Sequence, residues 1–409
     1  MELQEAKLAV IAAGKRLLET GLIARTWGNV SCRVNETQFV ITPSGRAYEN
    51  LTPDEIVLVN IADLSYDGDV KPSSEKGIHA QAYALRGNVN FVIHTHQHNA
   101  SIISVMQTEI DEVAGWYTDV IGEKIPLATY GLPGTKKLRG GVVAALKNNP
   151  GSNAILMAHH GALCVGASAE DAFKVADALE HVCSNFLTRK LLSATGEFME
   201  TINGIHAVIA AKRQTEHPRV EAPQVQSFTS FRSGDAFCME REPHGGALLD
   251  VSLPTGQILN GDFDEPDTLE IHRAIYKKDN SVNAIVHSQQ SDIVRASAGG
   301  AKKLLPYLDD FAQIAGINLR FARFNPNNRL ESAKYVVKQL KGRSAVMLED
   351  NGALCVGSSL DEARAVETVV EKNCATSLSA DLFAKVKSIG TIDATIMRLV
   401  YKFKYSKKK

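Results

Sequence analysis

The chain has 409 residues, of which 44% are hydrophobic and 22% charged, and its formal net charge is −1. This composition is typical of a globular protein long enough for two domains, and it gives no global field toward nucleic acid or an anionic membrane. No apolar run approaches the roughly 20 residues of a membrane helix, and the acidic N-terminal stretch does not resemble a signal peptide. We therefore expect a cytoplasmic protein without nucleic-acid or membrane partners.

The first elements alternate helix, strand and turn. An apolar stripe at helical spacing predicts a helix over residues 2–20, which Gly21 ends. Alternating patterns then predict strands near 30–32, 39–42 and 56–59. The turn at 43–45, with sequence PSG, follows the second strand and offers backbone N–H groups and a hydroxyl.

Residues 72–75, with sequence PSSE, open a helix that runs to about Leu85. The serines are typical helix caps, and Glu75 lies in the first turn, so one interpretation is simple capping. The same hydroxyls, free N–H groups and positive helix end also make an anion site, for which phosphate is the usual ligand. The helix leads directly into the next strand, which favours the functional interpretation.

That strand begins near Val89 and ends in the sequence HTHQH. Side chains alternate between the two faces of a strand, so His94 and His96 lie on the same face. Two imidazoles held side by side suit a first-row metal ion, above all zinc. His98 falls at the start of the following helix and is not counted as a ligand.

A second apolar strand, residues 154–158, ends in His159 and His160. Adjacent strand residues face opposite ways, so only one of this pair can join the face of His94 and His96. Alternation alone does not say which one does.

The second half of the chain repeats the first. The hexapeptide GALCVG occurs at 161–166 and again at 352–357, and the run VNFVIH at 89–94 returns as VNAIVH at 282–287. Each cysteine of the first copy is matched by a cysteine in the second: we align Cys32 with Cys238, Cys164 with Cys355, and Cys183 with Cys374. The chain is therefore a tandem duplication.

The second copy has lost the polar groups that mark the first. Positions equivalent to Glu75, His96 and His160 hold Thr268, Gln289 and Asn351. Only the equivalent of His94 is kept, as His287. One imidazole cannot hold zinc tightly. We expect a domain with an intact metal site at 1–212, a polar, proline-bearing linker at 213–230, and a degenerate domain at 231–409.

These motifs resemble those of the class II aldolase and adducin family. The resemblance covers residues 1–195 in family order, and its motifs are GNVS at 28–31, TPSG at 42–45, PSSE at 72–75, HTH at 94–96 and HHG at 159–161. It implies an α/β fold, a three-layer α/β/α sandwich around a mostly antiparallel sheet, present twice in tandem.

The resemblance also implies roles for individual residues. His94, His96 and His160 would hold Zn²⁺, and Glu75 would be the catalytic acid/base. The substrate phosphate would lie against Asn29, Ser44, Gly45, Ser73 and Ser74. Aldolases of the family also use a tyrosine acid; that region does not align cleanly here, and Tyr117 is the nearest candidate.

The activity implied is zinc-dependent cleavage of a phosphorylated ketose, such as a deoxy-ketose 1-phosphate, to dihydroxyacetone phosphate and an aldehyde. Zinc stabilises the enediolate as a Lewis acid while a carboxylate moves the proton. Glu75 favours aldolase, because the family's ketose 5-phosphate 4-epimerase carries Asp there; a sugar-phosphate dehydratase is a further alternative. The non-enzyme alternative is an adducin-like assembly module. Family tetramers suggest a homo-oligomer here, a dimer of tandem chains imitating the fourfold ring.

Overall fold

The structure, a computed structural model, describes residues 1–23, 25–196, 201–216, 222, 224–241, 249–261, 266–298, 300–323, 329–383 and 386–405. It divides into two compact units, mainly Met1–Phe198 and Met199–Ala384, and the later residues are shared between them. A helix over residues 202–216 extends into the predicted linker at 213–230 and belongs to the second unit. In the described part of the chain, no helix is long and apolar enough to cross a bilayer.

The first unit is built on a seven-stranded sheet with the order β3-β2-β1-β4-β7-β6-β5. All neighbours are antiparallel except β5 and β6, which are parallel. Its strands are β1 (Asn29–Arg33), β2 (Gln38–Ile41), β3 (Val57–Asn60), β4 (Phe91–Thr95), β5 (Leu127–Ala128), β6 (Ala154–Met157) and β7 (Gly161–Gly166). Its helices are α1 (Leu3–Glu19), α2 (Lys76–Leu85), α3 (His98–Val105), α4 (Tyr117–Ile121), α5 (Lys136–Asn148) and α6 (Ala169–Thr195).

Helices cover both faces of this sheet because its strands are apolar on both sides. On one face, Val92 of β4 belongs to a buried cluster with Tyr83 of α2 and Val142 of α5. On the other, Ile93 is fully buried, α1 packs on β1 and β2, and α6 packs on β4 and β7. The predicted three-layer sandwich around a mostly antiparallel sheet is confirmed.

The second unit repeats this sheet. Its order is β11-β10-β9-β8-β12-β16-β15-β14-β13, which is the first order with one strand added at each edge. The strands are β8 (Phe228–Ser233), β9 (Ala236–Arg241), β10 (Leu249–Ser252), β11 (Ile258–Asn260), β12 (Ala284–Ser288), β13 (Lys303–Leu304), β14 (Leu319–Ala322), β15 (Ala345–Leu348) and β16 (Ala353–Gly357). The helices are α7 (Ile202–Glu216), α8 (Pro266–Lys278), α9 (Ser291–Ser297), α10 (Asp309–Ile314), α11 (Arg329–Leu340), α12 (Leu360–Ser379) and α13 (Thr391–Val400). The tandem arrangement is confirmed. The match of Cys32 with Cys238 was wrong, because Cys238 lies on β9 at the place of Val40 on β2, and Phe231 takes the place of Cys32.

One tight approach brings the polar segments of the first unit together. Gly28 lies beside β4 with φ +146°, and a β-carbon there would stand 2.7 Å from the carbonyl oxygen of His94. Only glycine fits such a backbone. As a result Asn29, the next residue, is paired directly opposite His94 across the sheet.

Candidate active site

Three histidine side chains converge at the end of the first unit's sheet. His94 lies on β4, His96 follows that strand, and His160 precedes β7. The Nε2 atoms of His94 and His96 are 2.9 Å apart, and the rings of His94 and His160 stack with centroids 4.7 Å apart. One ligand atom from each of the three lies within 4.8 Å of the others, and all three residues are buried. The group can hold a metal ion.

The chemistry of these donors fits a divalent first-row metal. The Nδ1–H of His94 donates to the carbonyl oxygen of Ala162 at 2.9 Å, which leaves the Nε2 lone pair directed into the cluster. The pKa of His94 is lowered to about 3, mainly by burial. The carboxylate of Glu75 raises the pKa in part, and the imidazoles of His96 and His160 lower it further. Neutral imidazole is the form that binds metal.

A turn, and not a strand, decides which of the second pair enters the cluster. Strand β6 ends at Met157, and His159 adopts a left-handed backbone with φ +64°. The ring of His159 packs edge-on against Tyr130, whereas that of His160 stacks on His94. Alternation could not choose between the two because both lie beyond the strand's end.

Glu75 caps helix α2 and points into the histidine cluster. Its Oε1 lies 3.0 Å from Nε2 of His160, and its Oε2 lies 3.5 Å from Nε2 of His94. Burial would raise its pKa, but the facing histidines and the hydrogen bonds from His160 and Asn29 hold the pKa well below its usual range. The arrangement therefore combines a buried carboxylate with a potential metal site.

The side chain of Asn29 forms two hydrogen bonds within the protein. Its amide nitrogen donates to Oε2 of Glu75 at 2.8 Å, and its amide oxygen accepts from Nε2 of His79. Sequence reasoning assigned this residue to the phosphate. The structure shows its side chain between Glu75 and His79, and the contact with phosphate stays a prediction.

The four other predicted phosphate residues lie on two neighbouring loops. Pro43 and Pro72 form an isolated bridge, which brings Ser44 and Gly45 beside Ser73 and Ser74. The hydroxyl of Ser73 accepts from the backbone N–H of Glu75 at 3.3 Å. Ser74 and Gly45 are exposed, and Ser44 is partly exposed. These groups share an edge at the N-terminus of α2.

Two basic residues at this edge were missed from the sequence. The side chain of Arg139 crosses Gly77, where an added β-carbon would lie 2.8 Å from its Cδ. Burial, together with the nearby guanidinium of Arg139, lowers the pKa of Lys76. Neither cation has an acidic partner among the described residues. Lys76 follows the PSSE motif directly, which was a usable signal, but Arg139 is distant in sequence and carried none.

Tyr117 is placed away from these groups by its contacts. It begins α4, which packs on α6, and its ring lies 4.3 Å from that of Trp116 and 6.3 Å from that of His181, centroid to centroid. Within the described residues, its ring contacts do not include the histidine cluster.

Comparison with known proteins agrees with the duplicated architecture. The family model described as "Class II Aldolase and Adducin N-terminal domain" matches residues 8–187 and again 242–378, well over half of the chain. The chain belongs to the class II aldolase and adducin family.

Relatives within this family are enzymes. The 5-deoxy-D-ribulose 1-phosphate aldolase of Bacillus thuringiensis is 32% identical over 181 residues, which cover 44% of this chain and 83% of the relative. An L-fuculose phosphate aldolase of Escherichia coli is 31% identical over 221 residues, covering 54% and 100%. The methylthioribulose-1-phosphate dehydratase of Yersinia enterocolitica is 30% identical over 195 residues, covering 46% and 93%. This chain is accordingly an enzyme of the class II aldolase family, and not only an assembly module.

In the second aldolase-like unit, the corresponding place is filled by the chain itself. The backbone N–H of Val225 donates to the side chain of Asn351 at 2.6 Å, and Gln289 donates to the carbonyl oxygen of Val225 at 3.2 Å. Thr268 donates to the carbonyl oxygen of Gln226 at 3.2 Å. We call Ala222 and residues 224–227 the plug segment. The residues that replaced Glu75, His96 and His160 thus bind backbone.

Proposed function

We propose that the protein is a zinc-dependent aldolase that cleaves a phosphorylated ketose, such as a deoxy-ketose 1-phosphate, to dihydroxyacetone phosphate and an aldehyde. The observation that carries the proposal is the buried carboxylate of Glu75, held against three converging imidazoles. Family membership and relatives that are sugar-phosphate aldolases support it.

His94, His96 and His160 would hold the metal, and three protein ligands leave a position open, as catalytic zinc sites do. A bound zinc ion supplies Lewis-acid stabilisation for the negative charge that develops next to the substrate carbonyl. The protein's part is to keep the imidazoles neutral and oriented. For His94, burial keeps the ring neutral by lowering its pKa to about 3, and the hydrogen bond to Ala162 orients it.

Glu75 would move the proton. In cleavage, a substrate hydroxyl loses its proton and becomes the aldehyde oxygen, the adjacent carbon–carbon bond breaks, and its electron pair forms the enediolate. A carboxylate that is ionised at neutral pH can accept that proton and return it to the enediolate carbon, so the proton balances. Tyr117 stays the predicted tyrosine acid, which would act at the substrate hydroxyl that becomes the aldehyde oxygen.

The phosphate would bind where α2 begins. Ser44, Gly45, Ser73 and Ser74 would supply hydroxyls and backbone N–H groups, and the positive helix end favours an anion. Lys76 and Arg139 would add charge at the same edge. Asn29 stays in this set as predicted, because its amide nitrogen donates one N–H to Glu75 and carries a second.

A dehydratase is the second candidate, favoured by similarity to the methylthioribulose-1-phosphate dehydratase. Epimerisation of a ketose 5-phosphate is a third reaction open to the same groups. Purified protein should be incubated with a panel of ketose 1-phosphates, with and without chelator, and the products identified by NMR. Metal-dependent release of dihydroxyacetone phosphate supports the aldolase. Turnover that is independent of metal, or loss of water without carbon–carbon cleavage, refutes it.

The phosphate assignment has its own test. Arg139→Gln should raise KM for the ketose phosphate by about tenfold, the equivalent of about 1.4 kcal/mol, with little change in kcat. Lys147→Gln, at the other end of α5, is the matched control for loss of one positive charge. Equal effects of the two substitutions would contradict a local role for Arg139.

We further propose that the intact domain spans 1–212, the linker 213–230 and the degenerate domain 231–409, and that two chains assemble into a ring that imitates a tetramer. Cytoplasmic location is part of the same proposal. Sedimentation of the active protein as a monomer would contradict the assembly.

A further inference from the structure

A buried chain of hydrogen bonds leads from the core of the first unit to Glu75. The hydroxyl of Tyr83 lies 2.6 Å from Oγ of Ser31, and that oxygen lies 2.6 Å from Nδ1 of His79. His79 Nε2 bonds Asn29, and Asn29 bonds Glu75. All five side chains are buried.

The chemistry of the end groups settles the direction of every bond in this chain. A carboxylate can only accept, so the amide nitrogen of Asn29 faces Glu75 and its oxygen faces His79. His79 must then carry its proton on Nε2, which makes Nδ1 an acceptor for the hydroxyl of Ser31. Ser31 in turn accepts from Tyr83. Every donor points toward Glu75, and hydrogen bonds aligned in this way strengthen one another.

The second unit keeps the beginning of this chain and lacks its end. Oγ of Ser230 lies 2.7 Å from Nδ1 of His272 and 2.8 Å from the hydroxyl of Tyr276. Ser230 pairs with β12 as Ser31 pairs with β4, and Phe228, two residues before Ser230, therefore stands where the first unit has Asn29. His272 Nε2 is buried without a hydrogen-bond partner among the described residues.

The packing around the two chains is otherwise closely matched. Tyr83 packs against Phe39 in a tilted geometry with ring centroids 5.3 Å apart, and Tyr276 packs against Phe237 in the same way at the same separation. Any effect of breaking the first chain that the second does not share therefore comes from what lies at its end.

We propose that Tyr83, Ser31 and His79 are positioning residues that orient the amide of Asn29 and through it the carboxylate of Glu75. The proposal rests on the proposed function, since Glu75 must be the proton-moving group for the orientation to matter. All three are buried in the core of the first unit. They act by restricting the amide to one orientation and the carboxylate to one place.

The test compares equivalent substitutions in the two units of the full-length, metal-loaded enzyme. Tyr83→Phe and Ser31→Ala should lower kcat by about 10- to 100-fold, the usual effect of removing a group that orients a functional residue. KM and metal content should stay within about threefold of wild type. Tyr276→Phe and Ser230→Ala break the same bonds in the second unit and should leave kcat unchanged, while lowering the urea midpoint by a similar amount.

Equal losses of kcat in both sets, or no loss in the first set, overturn the proposal. If the wild-type enzyme cleaves no ketose phosphate, the proposed function has failed and the positioning chain is judged by nitrogen-15 NMR of the histidines. The chain requires His79 with its proton on Nε2, and an Nδ1 resonance that moves in Ser31→Ala. A proton on Nδ1 overturns it.

Discussion

Replacing His160 by Asn copies into the first unit the residue that the second unit has at Asn351. The change removes one of three nitrogen ligands and also the donor that lies 3.0 Å from Oε1 of Glu75. We expect His160→Asn to weaken metal binding strongly while the fold survives, because the second unit folds around the same residue.

The magnitude follows from the number of ligands. A structural zinc site contributes about 10–16 kcal/mol of binding free energy over four ligands, or about 2.5–4 kcal/mol for each. At about 1.4 kcal/mol per tenfold change, the loss of one ligand lowers metal affinity about 10²- to 10³-fold. The remaining pair, His94 and His96, should still bind weakly.

Metal affinity is measured by competition with a chromophoric chelator, and metal content by elemental analysis after dialysis. Wild type should hold one ion per chain, and His160→Asn should lose it in dialysis. His287→Asn is the matched control in the second unit and should keep one ion. Wild-type affinity in the His160 variant, or two ions per chain in wild type, would refute the assignment of the site.

Three further outcomes are expected. Glu75→Gln keeps the shape of the side chain but cannot take up the proton, so kcat should fall about 10²- to 10⁴-fold in an assay coupled to reduction of dihydroxyacetone phosphate; more than a tenth of wild-type kcat would contradict this. Gly28→Ala should lower the free energy of unfolding in urea by about 2 kcal/mol or more, because its β-carbon meets backbone, whereas Gly21→Ala, with nothing within 4 Å, should cost only about 1 kcal/mol; equal losses would disprove the reasoning. Burial, with repulsion chiefly from Asp292, raises the pKa of Glu371 from 4.5 to about 7. Between these pH values the folded state keeps a proton that the unfolded state releases, so the free energy of unfolding falls as pH rises from 4.5 to 7. Glu371→Gln should therefore stabilise the protein by about 3 kcal/mol at pH 8 and hardly at pH 4.5, as read from urea midpoints; the same gain at both would be inconsistent with titration.

Local patterns predicted the fold and the metal cluster well. Period-two alternation on β4 placed His94 and His96 on one face, and the structure puts their Nε2 atoms 2.9 Å apart. The exact repeat of GALCVG predicted a second sheet of the same order. Such features depend on neighbours along the chain, which a sequence displays directly.

What could not be predicted depends on contacts between distant residues or on unusual backbone. The left-handed turn at His159 brings His160 into the site, and nothing in the strand pattern indicates it. Asn29 and Glu75 are 46 residues apart, so their hydrogen bond could be found only in the three-dimensional arrangement. Arg139 lies beside Gly77 only because α5 packs on α2.

The plug segment has a consequence for any attempt to rebuild catalysis in the second unit. It is attached to the domain that it fills, so it competes with an incoming ligand at an effective concentration of millimolar order or higher. Installing Gln289→His and Asn351→His would restore imidazoles, yet it would also remove two side chains that bind Val225. In the second unit, the side chains at these positions already hydrogen-bond to the plug segment. Rebuilding a metal site there would first require removing or displacing the plug segment, and only then restoring the histidines.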